Sequence, residues 1–282
     1  MTKYLPKLEI IIPVLMPSRY LESMRESLKD IGESCRVNYV LDFATLGVDQ
    51  EEISRIKLSP SERLFSGQFG SPGKARNRAL QECEGKYLCF WDVDDKPEAR
   101  EVLEFTKELE SQSVDLGIGS WTFTESPNKK IGTSPISLAN SPGIWRIVFK
   151  LELVKNMRFT DLQWGEDQLF LIEALSKNPK IVTTSEVIYR YDKNSINSQT
   201  SKMQFAYDLP EATKLALAHV NRAQGVIRAS LTLMLCKQLI TVFKFTSLRV
   251  ALSNLMLVLF SSKDALLRNE PLSIISVWKN KW

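Results

Sequence analysis

With 282 residues the chain fits one large domain, or one domain with an appendage, and its 44% hydrophobic and 25% charged residues exclude a disordered chain and a multi-span membrane protein. A formal net charge of +4 is too small to mark a nucleic-acid groove, so no nucleic-acid partner is expected. The cysteines at 35, 83, 89 and 236 show no C-x-x-C spacing, which disfavours a zinc site or a disulfide framework and suits reduced thiols in a cytoplasmic protein.

Residues 8–15 (LEIIIPVL) form a continuous apolar, β-branched run, the pattern of a strand buried on both faces of a parallel sheet. The run is short, contains Pro13 and lacks a small-residue cleavage site, so it reads as a strand and not as a signal peptide. Arg19 to Ile31 has helical spacing, 36–43 (RVNYVLDF) is a second strand, and 74–84 is a helix entered through Gly70-Ser71-Pro72-Gly73 and ended by Gly85. An apolar, aromatic strand then runs from Lys86 to Trp91 straight into Asp92-Val93-Asp94-Asp95. Strand, helix, strand, helix, strand predicts an open α/β sheet, in which ligands bind at the carboxyl ends of the strands.

Further along, 99–110 is a predicted helix, 114–124 a strand pair or edge, and 125–143 a loop rich in Pro, Ser, Asn and Gly. Helices are expected over 144–156 and 167–177, flanking Trp164-Gly165-Glu166-Asp167, and a final strand over 180–191. From Leu209 the pattern is helical almost throughout, which puts a boundary near 205 between a catalytic domain (1–205) and a helical C-terminal extension (206–282). The single histidine, His219, lies in this helical part and reads as a helix-face residue with no catalytic role.

Three acids after an apolar strand repel one another unless a cation or basic partners offset them, and hard oxygen ligands suit magnesium, manganese or calcium. An EF-hand needs glycine where Pro97 stands. A haloacid-dehalogenase-type phosphotransferase also begins Asp-x-Asp after a strand, but wants Thr or Val where this chain has Lys96. Gly70 to Ala75 lacks the spacing of a P-loop; what survives is a turn that delivers Lys74, Arg76 and Asn77 to the mouth of the sheet. Glu166 and Asp167 open a helix, where the dipole favours ionised carboxylates, and such a group can take a proton from a sugar hydroxyl. Read without these chemistries, the acids are helix N-terminal residues facing water and the turn is a solvated surface turn.

Four segments in order, Ile11-Ile12-Pro13-Val14, Ala75-Arg76-Asn77, Phe90-Trp91-Asp92-Val93-Asp94-Asp95 and Gly165-Glu166-Asp167, resemble the family-2 glycosyltransferases. Ile188-Tyr189-Arg190-Tyr191 with Ser195-Ile196 is similar to that family's closing strand and loop, so the resemblance covers about residues 8–200. It implies a Rossmann-like glycosyltransferase-A domain with a mostly parallel central sheet, binding a nucleotide-diphosphate sugar, commonly a UDP-sugar, with Mn2+ or Mg2+. It further implies inverting transfer to a glycan or lipid-linked acceptor in cell-surface polysaccharide synthesis. By that analogy Asp92 and Asp94 hold the metal-diphosphate, Asp92 also the ribose, Arg76 contacts the nucleotide, and Asp167 is the general base. Pro13, Asp42, Asn77, Trp164 and Glu166 complete the implied substrate contacts. The chain departs from the family at Asp42-Phe43-Ala44-Thr45, which replaces Asp-Asp-Gly-Ser, and at Leu15 and Met16, which replace Tyr and Asn. The alternatives are a non-catalytic scaffold of the same fold and the phosphotransferase.

Between Glu211 and Asp264 there is no Asp or Glu, while Lys214, Arg222, Arg228, Lys237, Lys244, Arg249 and Lys263 occur. The longest uncharged run, Val250 to Ser262, is shorter than the ~20 residues of a crossing helix, so a surface-lying helix is expected instead. At 100° per residue Ser230, Lys237, Thr241 and Lys244 share one stripe opposite Leu235, Leu239, Val242 and Phe243. That pattern suits peripheral contact of 209–282 with the inner face of an anionic membrane. The alternative is a helical appendage packed on the catalytic domain or in a homo-oligomer.

Overall fold

The computed structural model describes residues 6–15, 17–28, 31–32, 35–43, 56–192 and 207–261. The predicted boundary near 205, Met16, Ala44-Thr45, Ser195-Ile196 and Lys263 lie outside the described residues. The described residues of Met1–Thr133, Ile144–Asp161 and Lys180–Ile196 form one compact unit, and those of Ser134–Gly143, Leu162–Pro179 and Asn197–Trp282 a second.

The first unit is an α/β unit built on one mixed sheet. Its strands are β1 (Leu8–Val14), β2 (Cys35–Asp42), β3 (Glu62–Gly67), β4 (Tyr87–Phe90), β5 (Lys96–Pro97), β6 (Leu116–Phe123), β7 (Ser126–Ile131), β8 (Ile147–Lys150) and β9 (Ile181–Tyr191). Among the described residues they run in the order β3-β2-β1-β4-β8-β6-β9-β5, with β7 paired to β6. The pairs β3-β2, β2-β1, β1-β4 and β6-β9 are parallel, and β8 is antiparallel to both its neighbours. The continuous apolar run of β1 is explained by its place between β2 and β4, where every residue but Pro13 is buried. Pro13 pairs with Val40 of β2 and lies past the last β1-β4 pair, Ile11 with Phe90, at the carboxyl end of the sheet.

Helix α1 covers Pro17–Leu28, α2 Pro72–Leu80, α3 Ala99–Ser111 and α4 Leu151–Val154. The Gly70–Gly73 turn is a helix start: Gly70 has φ +72°, the Ser71 side chain accepts the Lys74 N–H, and Pro72 occupies the first turn, where a missing N–H costs no bond. α2 stops at Leu80, five residues before Gly85, so Gly85 does not end it. That glycine serves close approach instead, since a Cβ there would lie 2.8 Å from Glu9 Cγ and 3.1 Å from the Pro6 carbonyl. Glu9 is fully buried; its Oε1 accepts the Glu84 and Gly85 N–H groups, both at 2.6 Å, and its Oε2 accepts the Asn38 amide at 3.0 Å.

Three sequence expectations change. The helix expected over 144–156 is a short 3-10 turn (Ile144–Arg146), then β8, then α4. Residues 144–149 are buried throughout, and so short an apolar run has no period to separate helix from interior strand. Residues 114–124 are neither a strand pair nor an edge but one interior strand, β6, and the expected loop after it begins with the exposed, polar β7. β3, half-buried at the end of the sheet order, carried too weak an alternation to be predicted.

The second unit is helical. It holds a 3-10 helix (Pro135–Ala139), α5 (Glu166–Ser176), α6 (Leu209–Val220), α7 (Gly225–Phe245) and α8 (Leu248–Ser261). α7 is long and apolar enough to cross a membrane by length and composition, and 56% of the apolar window is buried inside the protein. Gln238, buried on α7, donates to the Leu209 carbonyl and to Thr213 Oγ1 on α6, both at 2.9 Å. The predicted α7 stripes are partly reassigned. Leu235, Leu239 and Val242 are indeed on one buried side, but Phe243 is exposed, and Ser230 is buried with its hydroxyl donating to the Pro135 carbonyl.

Candidate active site

β4 ends at Phe90, and after buried Trp91 the chain turns through Asp92, Val93, Asp94 and Asp95 at the carboxyl end of the sheet. Asp92, Val93 and Asp94 are partly exposed, whereas Asp95 is buried. Tyr189 of β9 ties this turn down: its hydroxyl donates to Asp95 Oδ2 at 2.7 Å and accepts the Asp92 N–H at 3.2 Å. The other Asp95 oxygen accepts the Asp192 N–H at 2.7 Å. Tyr189 is fully buried and stacked on Trp145, ring centroids 4.6 Å apart. Burial and then the Asp92 carboxylate, with Asp94 adding to it, push the Asp95 carboxyl up to about 8, against its hydrogen bonds to Asp192 and Tyr189. Three acids are thus close enough to feel one another, and the innermost carries the burden.

Arg76, on α2, is buried and places Nη2 2.7 Å from Asp92 Oδ1, a charge-assisted bond. Its guanidinium lies over the Phe159 ring, 5.4 Å from the centroid, and Phe159 in turn meets Phe90 edge to face at 5.1 Å. Asn77 faces the same segment: its amide donates to the Phe159 carbonyl at 2.9 Å and accepts the Phe159 N–H at 2.8 Å. It pairs with backbone as a neighbouring strand would, so the Ala75-Arg76-Asn77 motif divides into one residue that reaches the acids and one that holds the platform under it. Lys74 pairs with Asp161 at 2.7 Å, but both side chains are exposed and the pair contributes little.

Asp42 closes β2, buried, with Oδ1 accepting the Phe69 N–H at 2.9 Å and Oδ2 the Gly70 N–H at 2.8 Å. It fastens the turn that begins α2. Parallel β2, β1 and β4 therefore bring Asp42, Pro13 and Asp92 to one edge, and the turn held by Asp42 leads into the helix bearing Arg76.

Trp164, Gly165, Glu166 and Asp167 belong to the second unit. Gly165 caps α5 with φ +86°, and a Cβ on it would come 3.1 Å from Ala212 Cβ. Trp164 packs against the cluster of Leu209, Val242 and Ala251. Glu166 is buried, and Asp167, partly exposed in the first turn of α5, accepts the Gln168 N–H at 2.7 Å.

A divalent cation fits the donor chemistry of Asp92 and Asp94, two partly exposed carboxylates beside a third that their charge already disfavours. Among the described residues no three His, Cys, Asp or Glu side chains converge to hold a metal. Phe159 and Tyr189 carry the geometry, and sequence reasoning assigned neither a role. Phe159 had no signal, because its partners Arg76 and Asn77 are more than 80 positions away; Tyr189 was visible only as part of the closing-strand pattern.

No protein-family model matches the chain. In sequence it is 27% identical over 229 residues to poly(ribitol-phosphate) beta-N-acetylglucosaminyltransferase TarS of Staphylococcus aureus, a match covering 73% of this chain and 38% of that protein. It is 28% identical over 157 residues to a poly(ribitol-phosphate) beta-glucosyltransferase of Bacillus spizizenii, covering 50% of this chain and 24% of the relative. The chain thus spans well under half of the curated relatives it matches. Among solved structures, S. aureus TarS 1-349 in complex with UDP-GlcNAc superposes with TM-score 0.65 at 21% identity, over 85% of this chain and 73% of that one. The mannosyltransferase PcManGT of Pyrobaculum calidifontis, in complex with GDP-Man and Mn2+, superposes with TM-score 0.58 at 16% identity, over 98% of this chain and 85% of that one. The fold is that of the glycosyltransferase-A proteins, and the resemblance to the family-2 glycosyltransferases read from the motifs is borne out. A haloacid-dehalogenase phosphotransferase is set aside with it.

Proposed function

We propose that this glycosyltransferase-A chain is an inverting transferase that moves a sugar from a nucleotide-diphosphate donor, UDP-linked by preference, to a cell-surface glycopolymer of the poly(ribitol-phosphate) kind. The observation that carries the reading is the Arg76–Asp92 pair at the carboxyl end of the sheet, next to Asp94 and with only β1 between β4 and the strand that ends in Asp42. The names of the sequence relatives support donor and acceptor classes. Four free cysteines accord with work in the reducing cytoplasm.

Asp94 and Asp92 are the residues to hold Mn2+ or Mg2+. Bound there, the ion would offset negative charge growing on the leaving diphosphate, help given mainly in the transition state. Arg76 supplies a fixed cation with a planar donor fork for the nucleotide, preoriented by Phe159 and Asp92. Asp42 and Pro13 form the floor nearest the base of the nucleotide. Asp167 takes the proton of the acceptor hydroxyl, its charge favoured by the start of α5. Glu166 and Trp164 position that helix start.

Thermal shift of the full chain with UDP-GlcNAc, UDP-glucose and GDP-mannose, each with and without Mn2+, tests this reading, because a ligand that binds only the native state raises the melting temperature. A shift with a UDP-sugar that needs the metal and vanishes in Asp94→Asn is expected. Absence of any shift with all three donors overturns it in favour of a non-catalytic scaffold.

A further inference from the structure

The last described helix is built with its larger apolar side chains outside. α8 turns Ala251, Asn254 and Val258 inward, and Asn254 spends its amide on the Val250 carbonyl of its own helix. Leu248, Leu252 and Met256, four apart and so on one stripe, are 68%, 47% and 49% exposed. Val250 and Leu257 are exposed as well. On α7, which packs against α8, Ile240 and Phe243 are exposed between Lys237 and Lys244, and Arg249 is exposed among the leucines of α8. Hydrophobicity alone would bury the stripe and leave the small face in water, so the stripe is a surface suited to an apolar occupant.

Charge selects which. No acidic residue occurs between Glu211 and Asp264, so no carboxylate on this stretch offsets the exposed Lys244 and Arg249. A second copy of the chain packed face to face by a two-fold axis would set these cations against their own copies. An anionic lipid surface accepts the apolar side chains and neutralises the cations together. The other membrane arrangement, α7 as a crossing helix, would tear Gln238 from its two bonds to α6 and expose a helix that is half buried in protein. We propose that the exposed faces of α7 and α8 rest on an anionic membrane surface, with Leu248, Leu252 and Met256 entering the headgroup layer and Lys244 and Arg249 at its phosphates. The membrane-facing stripe is therefore not the one that spacing along α7 predicted, whose apolar side is mostly buried.

The test is co-sedimentation of the full chain with vesicles of phosphatidylcholine alone and of phosphatidylcholine with phosphatidylglycerol in equal parts, at low and high salt. Binding is expected only to the anionic vesicles, weakened by salt, lowered about tenfold or more by Lys244→Glu with Arg249→Glu, and lost in Leu252→Ser with Met256→Ser. These positions are exposed, and an unchanged melting temperature verifies that both variants fold. Retention in the supernatant at low salt, or equal pelleting of wild type and variants, overturns the proposal. So does a lipid-free dimer, seen by light scattering, that Leu252→Ser with Met256→Ser converts to monomer.

Discussion

Tyr189 and Asp95 are joined by a 2.7 Å hydrogen bond across 94 positions of sequence, and through it the last strand of the sheet holds the acidic turn after β4. Both groups are buried, so the bond has no water to replace it. Tyr189→Phe keeps the ring stacked on Trp145 but leaves Asp95 Oδ2 and the Asp92 N–H without this partner. A loss of about 1–3 kcal/mol in urea unfolding is expected, the cost of stranding buried polar groups. An unchanged midpoint would mean that the turn is held from elsewhere.

Arg76 and Asn77 are adjacent yet predict opposite phenotypes. Arg76→Ala removes the cation beside Asp92 and should weaken UDP binding by about tenfold or more, the range of charge-assisted bonds, with a modest change in melting temperature. Asn77→Ala unpairs the Phe159 backbone and should cost about 1–3 kcal/mol of stability while the folded fraction binds UDP nearly as before. Calorimetry and denaturation on both variants separate the roles; a matching loss of UDP affinity in both would refute the division.

If Asp167 is the base, Asp167→Asn keeps donor binding and lowers turnover by about 10² to 10⁴. Steady-state kinetics with KM and kcat resolved decides the matter, and a rise in donor KM as the main defect would make Asp167 a binding residue. Gly165→Ala gives a second handle on the same helix start, since the left-handed backbone costs about 1–2 kcal/mol with a side chain.

Burial holds the His219 imidazole below its ordinary 6.5, with Arg222 and Lys177 lowering it further and Glu173 raising it. The fold thus favours the neutral ring. Its contribution to stability is whole above the unfolded value of 6.5 and is lost as pH falls through the lower folded value. The one histidine of the chain should titrate below 6.5 by NMR, and His219→Gln should flatten the decline of the melting temperature on the acid side of that point. A ring titrating at or above 6.5 would contradict this.

The fold was legible where burial was two-sided and the run unbroken, as in β1, or where an acid cluster followed an aromatic strand, as after β4. β8 escaped because its few residues, Ile147–Lys150, belong to a strand laid antiparallel between β4 and β6, a position that sequence order does not reveal. At the site, the residues with charge could be picked out, since acids in a row or a basic residue after a glycine turn announce themselves. Their supports could not: Phe159 acts through a ring and its backbone, and Asp95, one acid among three in the sequence, is set apart from Asp92 and Asp94 by its burial and its bonds to Tyr189 and Asp192.

Glu9 sits at the opposite end of the sheet from Asp92, yet it governs where Asp92 comes to rest. Its carboxylate grips the two residues before Lys86, and β4 is only four residues long, with no spare length in which to absorb a slip. A shift of one residue against β1 would carry Asp92 about 3.3 Å along the strand axis and turn alternate side chains to the wrong face. The height of the acidic turn is gauged from the floor of the sheet, and a substitution at Gly85, far from any substrate, would register as a misplaced carboxylate.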